Sequence, residues 1–217
     1  MQYVVIEGNI GAGKTTLARM LSEKHNAKLV LERINENPFL AKFYDNPDRF
    51  AFQMELSFLA DRYKQMNEEL KDRDLFQPLT ISDYYLMKSL IFSKINLGKD
   101  EFRLYRQVFD MMNQNAPKPD VYVYLHAPLN NLIKNIRNRG RFYEQRLQSD
   151  YLVKIQEGYM DFFKVNSELK ILILDVSNLD FVNSISDFEK IDNVIFQKKL
   201  NKESIKFNFS RSSNINN

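Results

Sequence analysis

Residues 8–15 read Gly8-Asn9-Ile10-Gly11-Ala12-Gly13-Lys14-Thr15, a G-x-x-x-x-G-K-[ST] pattern with an apolar stretch before it and an amphipathic one after, and Thr16 follows at once. This set of residues suits a polyphosphate. The glycines let the backbone turn tightly and aim its N–H groups inward, Lys14 reaches the outer phosphates, and the Thr15 hydroxyl is available to Mg2+. A helix opening at Lys14 adds a dipole that favours the anion. Zero Cys and only two His, His25 and His126, exclude disulfides, thiolate metal sites and a cysteine nucleophile, and make a histidine-based triad hard to build. The chemistry falls to carboxylates, Lys and Arg. Glu32 closes a short apolar segment, which puts a carboxylate at the carboxyl end of a strand, where ligands collect in open α/β sheets; a plain strand-end Glu before a loop stays open. Arg137, Arg139, Arg141 and Arg146 lie on or just after a stretch marked by Leu132, Ile133 and Ile136. They form either a cationic cluster able to close over ATP or a solvated basic face.

The elements that must position these groups follow from the apolar pattern. Five segments read as buried strands: 2–7, 28–32, 78–83, 121–125 and 171–176. Between them, Leu17 and Leu21 mark a helix from Lys14, and Phe52, Leu56, Leu59, Tyr63, Met66 and Leu70 form a stripe on a long helix over about 48–71. Phe102, Tyr105, Phe109, Met112 and Ala116 form another, ended by Pro117-Lys118-Pro119. Strands alternating with helices predict an α/β fold, a five-stranded parallel sheet with helices on both faces. The 217 residues suit one domain, placed at 1–197, with 198–217 as a flexible basic tail that the body can lose and stay folded and active. The net charge is +3, yet Lys198, Lys199, Lys202, Lys206 and Arg211 against only Glu203 give that tail +4 and leave −1 for residues 1–197. The body therefore has no basic excess for nucleic acid. No run approaches the roughly 18 apolar residues of a membrane span and no basic leader precedes an apolar stretch, so a cytoplasmic protein without a membrane partner is expected. GTPase-type base recognition would want Asn-Lys-x-Asp, which is absent; motor ATPases carry a strand ending in Asp-Glu, whereas the candidates here end in Ser82-Asp83 and Asp175-Val176. A small phosphotransferase fits better.

The run Ile6 to Thr16 resembles the start of the deoxyribonucleoside kinase family, and the likeness continues in order through Glu32, Phe43-Tyr44-Asp45-Asn46-Pro47-Asp48-Arg49-Phe50, and Arg139-Gly140-Arg141 with Glu144 and Tyr151-Leu152 behind it. The resemblance spans about residues 3–195. It implies a P-loop kinase fold with an arginine-rich lid, ATP- and Mg2+-dependent phosphorylation of a small-molecule deoxynucleoside at its 5′-hydroxyl in nucleotide salvage, and a homodimer. It gives Glu32 the catalytic carboxylate, with Lys14 and Arg139 beside the migrating phosphoryl group. Gly8 to Thr16 together with Arg137, Arg139 and Arg141 then hold ATP, Tyr44 and Glu144 contact the sugar 3′-hydroxyl, and Thr15 and Glu32 stand on the metal side.

Two departures matter. The family's third strand normally ends in an acidic residue, Arg and Ser, but this chain has Ser82-Asp83-Tyr84. Arg33 or Asp83 could compensate; Asp83 reads equally as a Mg2+-side or Glu32-orienting carboxylate and as the N-cap of a helix from Tyr84. Glu55 stands where the family usually has a base-reading Gln. An ionised Glu only accepts hydrogen bonds, so it matches two adjacent donors and predicts a purine, guanine ahead of adenine. Arg62, two turns along the same face, is its expected partner, and a purely structural Glu55–Arg62 pair stays open. The alternatives are a nucleoside monophosphate kinase of thymidylate-kinase type and a catalytically impaired ATP-binding module.

Overall fold

The structure is a computed structural model that describes residues 1–70, 76–114 and 116–197 and the backbone of 205–208. Its strands are β1 (Tyr3–Gly8), β2 (Lys28–Val30), β3 (Thr80–Ser82), β4 (Val121–His126), β5 (Ile171–Asp175) and β6 (Ile205–Asn208). Among the described residues they form one all-parallel sheet in the order β2-β3-β1-β4-β5-β6. The five expected strands are present, and a sixth is added at the β5 edge. It falls within 198–217, expected to be a flexible tail, and corrects that expectation for residues 205–208; the rest of that segment lies outside the described residues.

Parallel strands require crossovers, and helices supply them: α1 (Lys14–His25), α2 (Leu40–Asp45), α3 (Pro47–Gln65), α4 (Lys88–Asn96), α5 (Lys99–Asn113), α6 (Leu129–Arg139), α7 (Ser149–Val165) and α8 (Ile185–Phe196). Alternation along β1 divides the core. Val4 and Ile6 pack with Leu17 and Leu21 of α1, Leu132 and Ile136 of α6 and Ile191 of α8. Tyr3 and Val5 face the other way, onto Ile91 of α4 and Tyr159, Phe162 and Phe163 of α7. A third cluster joins α2, α3 and α5 through Phe43, Leu59, Met66, Tyr105 and Phe109, which is where the two sequence stripes meet.

The long helix expected over 48–71 starts at Pro47, whose missing N–H is harmless in a first turn, and passes after Gln65 into one wider turn, Met66–Leu70. β2 ends at Val30, so Glu32 stands two residues past the strand, on the rim of the sheet.

Candidate active site

The loop between β1 and α1 is pinned from several sides. Gly11 has φ +82°, and a Cβ there would lie 2.7 Å from the Leu132 carbonyl oxygen, so the position requires glycine. Asn135 Nδ2 donates to the Gly11 carbonyl at 2.8 Å. Asn9 is buried, donates to the Leu152 carbonyl at 2.7 Å and accepts from the Ile10 N–H at 2.8 Å. Lys14 Nζ, half-buried, donates to the Asn9 carbonyl at 2.9 Å. Burial, reinforced by the positive charge of Lys88, pushes the Lys14 ammonium down to about 8. An anion in the loop would reverse that pressure.

Glu32 and Asp83 stand next to this loop. The Asp83 carboxylate accepts from the Thr15 hydroxyl and, through Oδ1, from the Glu32 N–H at 2.7 Å. Burial pushes its carboxyl up, opposed by the Thr15 bond. It therefore ties the phosphate loop to the Glu32 segment, and α4 starts only at Lys88, which corrects the expectation of an N-cap for a helix from Tyr84. Glu32, 4% exposed at its side chain, accepts at Oε1 from Arg62 Nε (2.8 Å) and Nη2 (2.5 Å) and at Oε2 from Lys88 Nζ (2.7 Å). Burial opposes its charge, but Lys88 and Arg62 prevail and hold the carboxyl down to about 2. Arg62 also donates to Ser89 Oγ at 2.8 Å and lies over the Phe58 ring. The result is a buried carboxylate between two cations, with one positive charge in excess.

A cavity opens beside this triad, lined by Lys14, Glu32, Tyr44, Glu55, Arg62, Lys88, Arg139, Arg141, Glu144 and the rings of Phe43, Phe58, Phe92 and Tyr151. Tyr44 stacks on Tyr143 with centroids 5.6 Å apart, and burial, with Glu144 nearby, pushes its phenol up. The buried Glu144 accepts from Arg139 Nε at 3.0 Å and Arg141 Nη1 at 3.1 Å. Gly140, at φ +71°, ends α6 with its N–H on the Ile136 and Arg137 carbonyls and lets the two flanking arginines converge on that carboxylate. Arg146 pairs with Asp45. Glu55, 1% exposed, accepts at Oε1 from Asn96 Nδ2 at 2.6 Å. Burial pushes its carboxyl up to about 7 against the pull of Arg62 and Asn96.

A second, larger hollow of about 760 Å3 lies across the loop, lined by Gly11, Ala12, Gly13, Thr15, Thr16, Asn138, Val176 and Phe181. Arg139 and Arg141 line both spaces. Most residues singled out in the sequence therefore meet at one place. Arg137 does not, because it is exposed in the last turn of α6 and lines neither cavity. Ile10 lines the first cavity rather than the second. Arg62 pairs with Glu32 and not with Glu55, which corrects the expected Glu55–Arg62 bridge. Arg33 does not stand in for the absent strand-end arginine, since it turns to Glu69 at 2.7 Å. Lys88, Asn96 and Tyr143 carried no motif, although Lys88 follows the altered Ser82-Asp83-Tyr84 segment closely enough to have been tried as the missing cation.

A phosphate loop on the β1–α1 turn, with a carboxylate and cations between two adjoining cavities, defines a P-loop phosphotransferase. Residues 4–201 match the family model for deoxynucleoside kinases, and the chain belongs to that family. It is 38% identical to a deoxyguanosine kinase of Bacillus subtilis (strain 168), over 87% of this chain and 93% of that protein. A deoxyadenosine/deoxycytidine kinase of the same organism is 27% identical, with 89% and 90% covered. The structure of a deoxyadenosine kinase from M. mycoides with bound dCTP has the same fold, with a TM-score of 0.78 at 24% identity, covering 90% of this chain and all of that one. The chain is thus a nucleotide-binding enzyme that phosphorylates a deoxynucleoside.

Proposed function

We propose that the chain transfers the γ-phosphoryl group of ATP to the 5′-hydroxyl of a purine deoxynucleoside, guanine ahead of adenine. The observation that carries this reading is the convergence of two cavities on Arg139 and Arg141, with Lys14 and Glu32 in the wall of the smaller one. The larger hollow lies beside the phosphate loop, where ATP belongs; the smaller is lined for a nucleoside, with aromatic rings and a few convergent polar groups. Tyr44 and Glu144 suit the sugar 3′-hydroxyl, since a phenol and a carboxylate satisfy a donor-acceptor group from two sides. The 38% likeness to a deoxyguanosine kinase supports the base preference.

Phosphoryl transfer asks the protein for placement and positive charge more than for covalent chemistry. Glu32, held ionised, accepts a hydrogen bond from the 5′-hydroxyl and fixes its direction of attack. With so low a proton affinity it takes the proton late, once the new P–O bond has acidified the hydroxyl. Lys14, Lys88, Arg62, Arg139 and Arg141 supply charge to the migrating group. The hard oxygens of Thr15 and Asp83 fit Mg2+, and both Glu32 oxygens already carry cations, which favours the Thr15 side for the metal. When bound, Mg2+ neutralises phosphate charge; Asp83 would orient Thr15 and anchor the Glu32 backbone. Among the described residues no helix is long and apolar enough to cross a membrane. Work in the cytoplasm as a homodimer, in nucleotide salvage, rests on the family likeness.

The test is ADP release with the four deoxynucleosides, their ribose counterparts and the corresponding monophosphates. Deoxyguanosine should give the highest kcat/KM, followed by deoxyadenosine. Consumption of a monophosphate instead, or ATP binding with no acceptor-dependent ADP release, overturns the proposal.

A further inference from the structure

Glu55 lines the first cavity from the middle of α3, and its two oxygens are not equivalent. Oε1 holds the Asn96 amide, while Oε2 is buried without a partner among the described residues. A buried acceptor left in this way is costly unless something completes it. Protein charges are already committed. Arg62 on the same helix and Lys88 on α4 both bind Glu32, whose charge also acts on Glu55; Tyr105 of α5 donates its hydroxyl to the Glu55 backbone carbonyl; Tyr151 of α7 interacts with the carboxylate. A ligand in the cavity is left to satisfy Oε2.

The asymmetry decides where a proton goes. Because Oε1 receives an N–H it remains an acceptor, so a proton on this carboxyl sits on Oε2. Ionised, Glu55 offers two acceptors, which match the N1–H and 2-amino donors of guanine. Protonated, it offers an acceptor beside a donor, which match the 6-amino group and N1 of adenine. We infer that Glu55 and Asn96 form a two-state base reader, in which the ionised carboxylate selects deoxyguanosine and the protonated acid selects deoxyadenosine. The inference rests on Glu55 as the base contact of the function proposed above. Burial brings the Glu55 carboxyl to about 7, so it is protonated below that pH and ionised above it, with both forms present near neutrality. Asn96 is the positioning residue, fixing the oxygen that carries the proton.

The experiment is kcat/KM for deoxyguanosine and deoxyadenosine with the full chain, at saturating ATP, between about pH 6 and pH 8. The deoxyguanosine value should rise and the deoxyadenosine value fall, changing their ratio at least tenfold. Titration of Lys14 acts on both substrates alike and cancels in the ratio. Glu55→Gln, whose amide keeps one acceptor and one donor, should flatten the pH dependence and move selectivity toward deoxyadenosine. Asn96→Leu removes a donor to the charged form and should move the midpoint to higher pH. A flat wild-type ratio combined with altered selectivity in Glu55→Gln keeps the base contact and overturns the two-state reader. Equal losses on both substrates in Glu55→Gln overturn the contact itself. Failure of every deoxynucleoside as an acceptor removes the proposed function instead.

Discussion

Replacing Lys88 by Met keeps the length of the side chain and deletes one of the two cations on Glu32. Both partners are nearly inaccessible, 7% and 4% exposed at their side chains, and their atoms are 2.7 Å apart. Breaking a buried ion pair from one side costs about 3–5 kcal/mol. Arg62 still makes two bonds to Oε1, so the lower end, about 3 kcal/mol, is expected at pH 7. Glu32 is held at about 2, below its value of about 4.3 in an unfolded chain, so its pairing contributes fully above that unfolded value and is lost as pH falls toward 2. Without Lys88 the folded-state carboxyl rises toward its unfolded value, so the pairing contributes less and its loss on acidification is complete at a higher pH. Lys14 rises too, because Lys88 is among the causes that lower it. Urea unfolding at neutral and acid pH measures the first effect, and the alkaline limb of kcat/KM for ATP measures the second. Loss of charge beside the migrating phosphoryl group should also reduce kcat by about 10²-fold or more. A variant within about 1 kcal/mol of wild type, with an unmoved alkaline limb and kcat within about threefold, would refute the account of the triad.

Further outcomes follow from the same geometry. Lys14 is cationic below about 8, so kcat/KM for ATP should fall about tenfold per pH unit above that point, and Lys14→Ala should remove most activity while the fold survives. A 3′-deoxy nucleoside should lose about 1–3 kcal/mol in kcat/KM because Tyr44 and Glu144 are left without their partner; equal values for both sugars would dismiss these two residues as sugar contacts. Removing residues 198–217 bares the β5 edge, so Tm should fall by about 2–4 °C for each kcal/mol of lost strand pairing, with kcat retained. An unchanged Tm would show that β6 adds nothing to stability.

The phosphate loop was legible because its chemistry is contiguous: eight residues contain the turn, the cation and the hydroxyl, and their neighbours announce a strand and a helix. Glu32 was legible from its place at the end of an apolar segment. Lys88 was not, since in Tyr84-Tyr85-Leu86-Met87-Lys88 it looks like any solvated lysine, and only the crossover from β3 to α4 turns it onto a carboxylate 56 residues away. The expected Glu55–Arg62 bridge failed for a related reason. Helical spacing puts both groups on one face, but Glu32 enters from the rim and offers the guanidinium two bonds to one oxygen. Asn96, at the far end of α4, then takes the Glu55 oxygen that Arg62 leaves. For β6 a signal did exist, the alternation Ile205-Lys206-Phe207-Asn208, hidden by the polar composition around it.

The function proposed above requires the two cavities to hold the two substrates, with their reacting ends meeting at Arg139 and Arg141. A ligand joining adenosine to deoxyguanosine through a pentaphosphate bridge tests it most directly, read as binding affinity and as inhibition against each substrate. Joining two occupied sites should strengthen binding by about 10²–10⁴-fold over either half, with competition against both ATP and deoxyguanosine. Affinity no better than that of one half, or competition with one substrate alone, would contradict it.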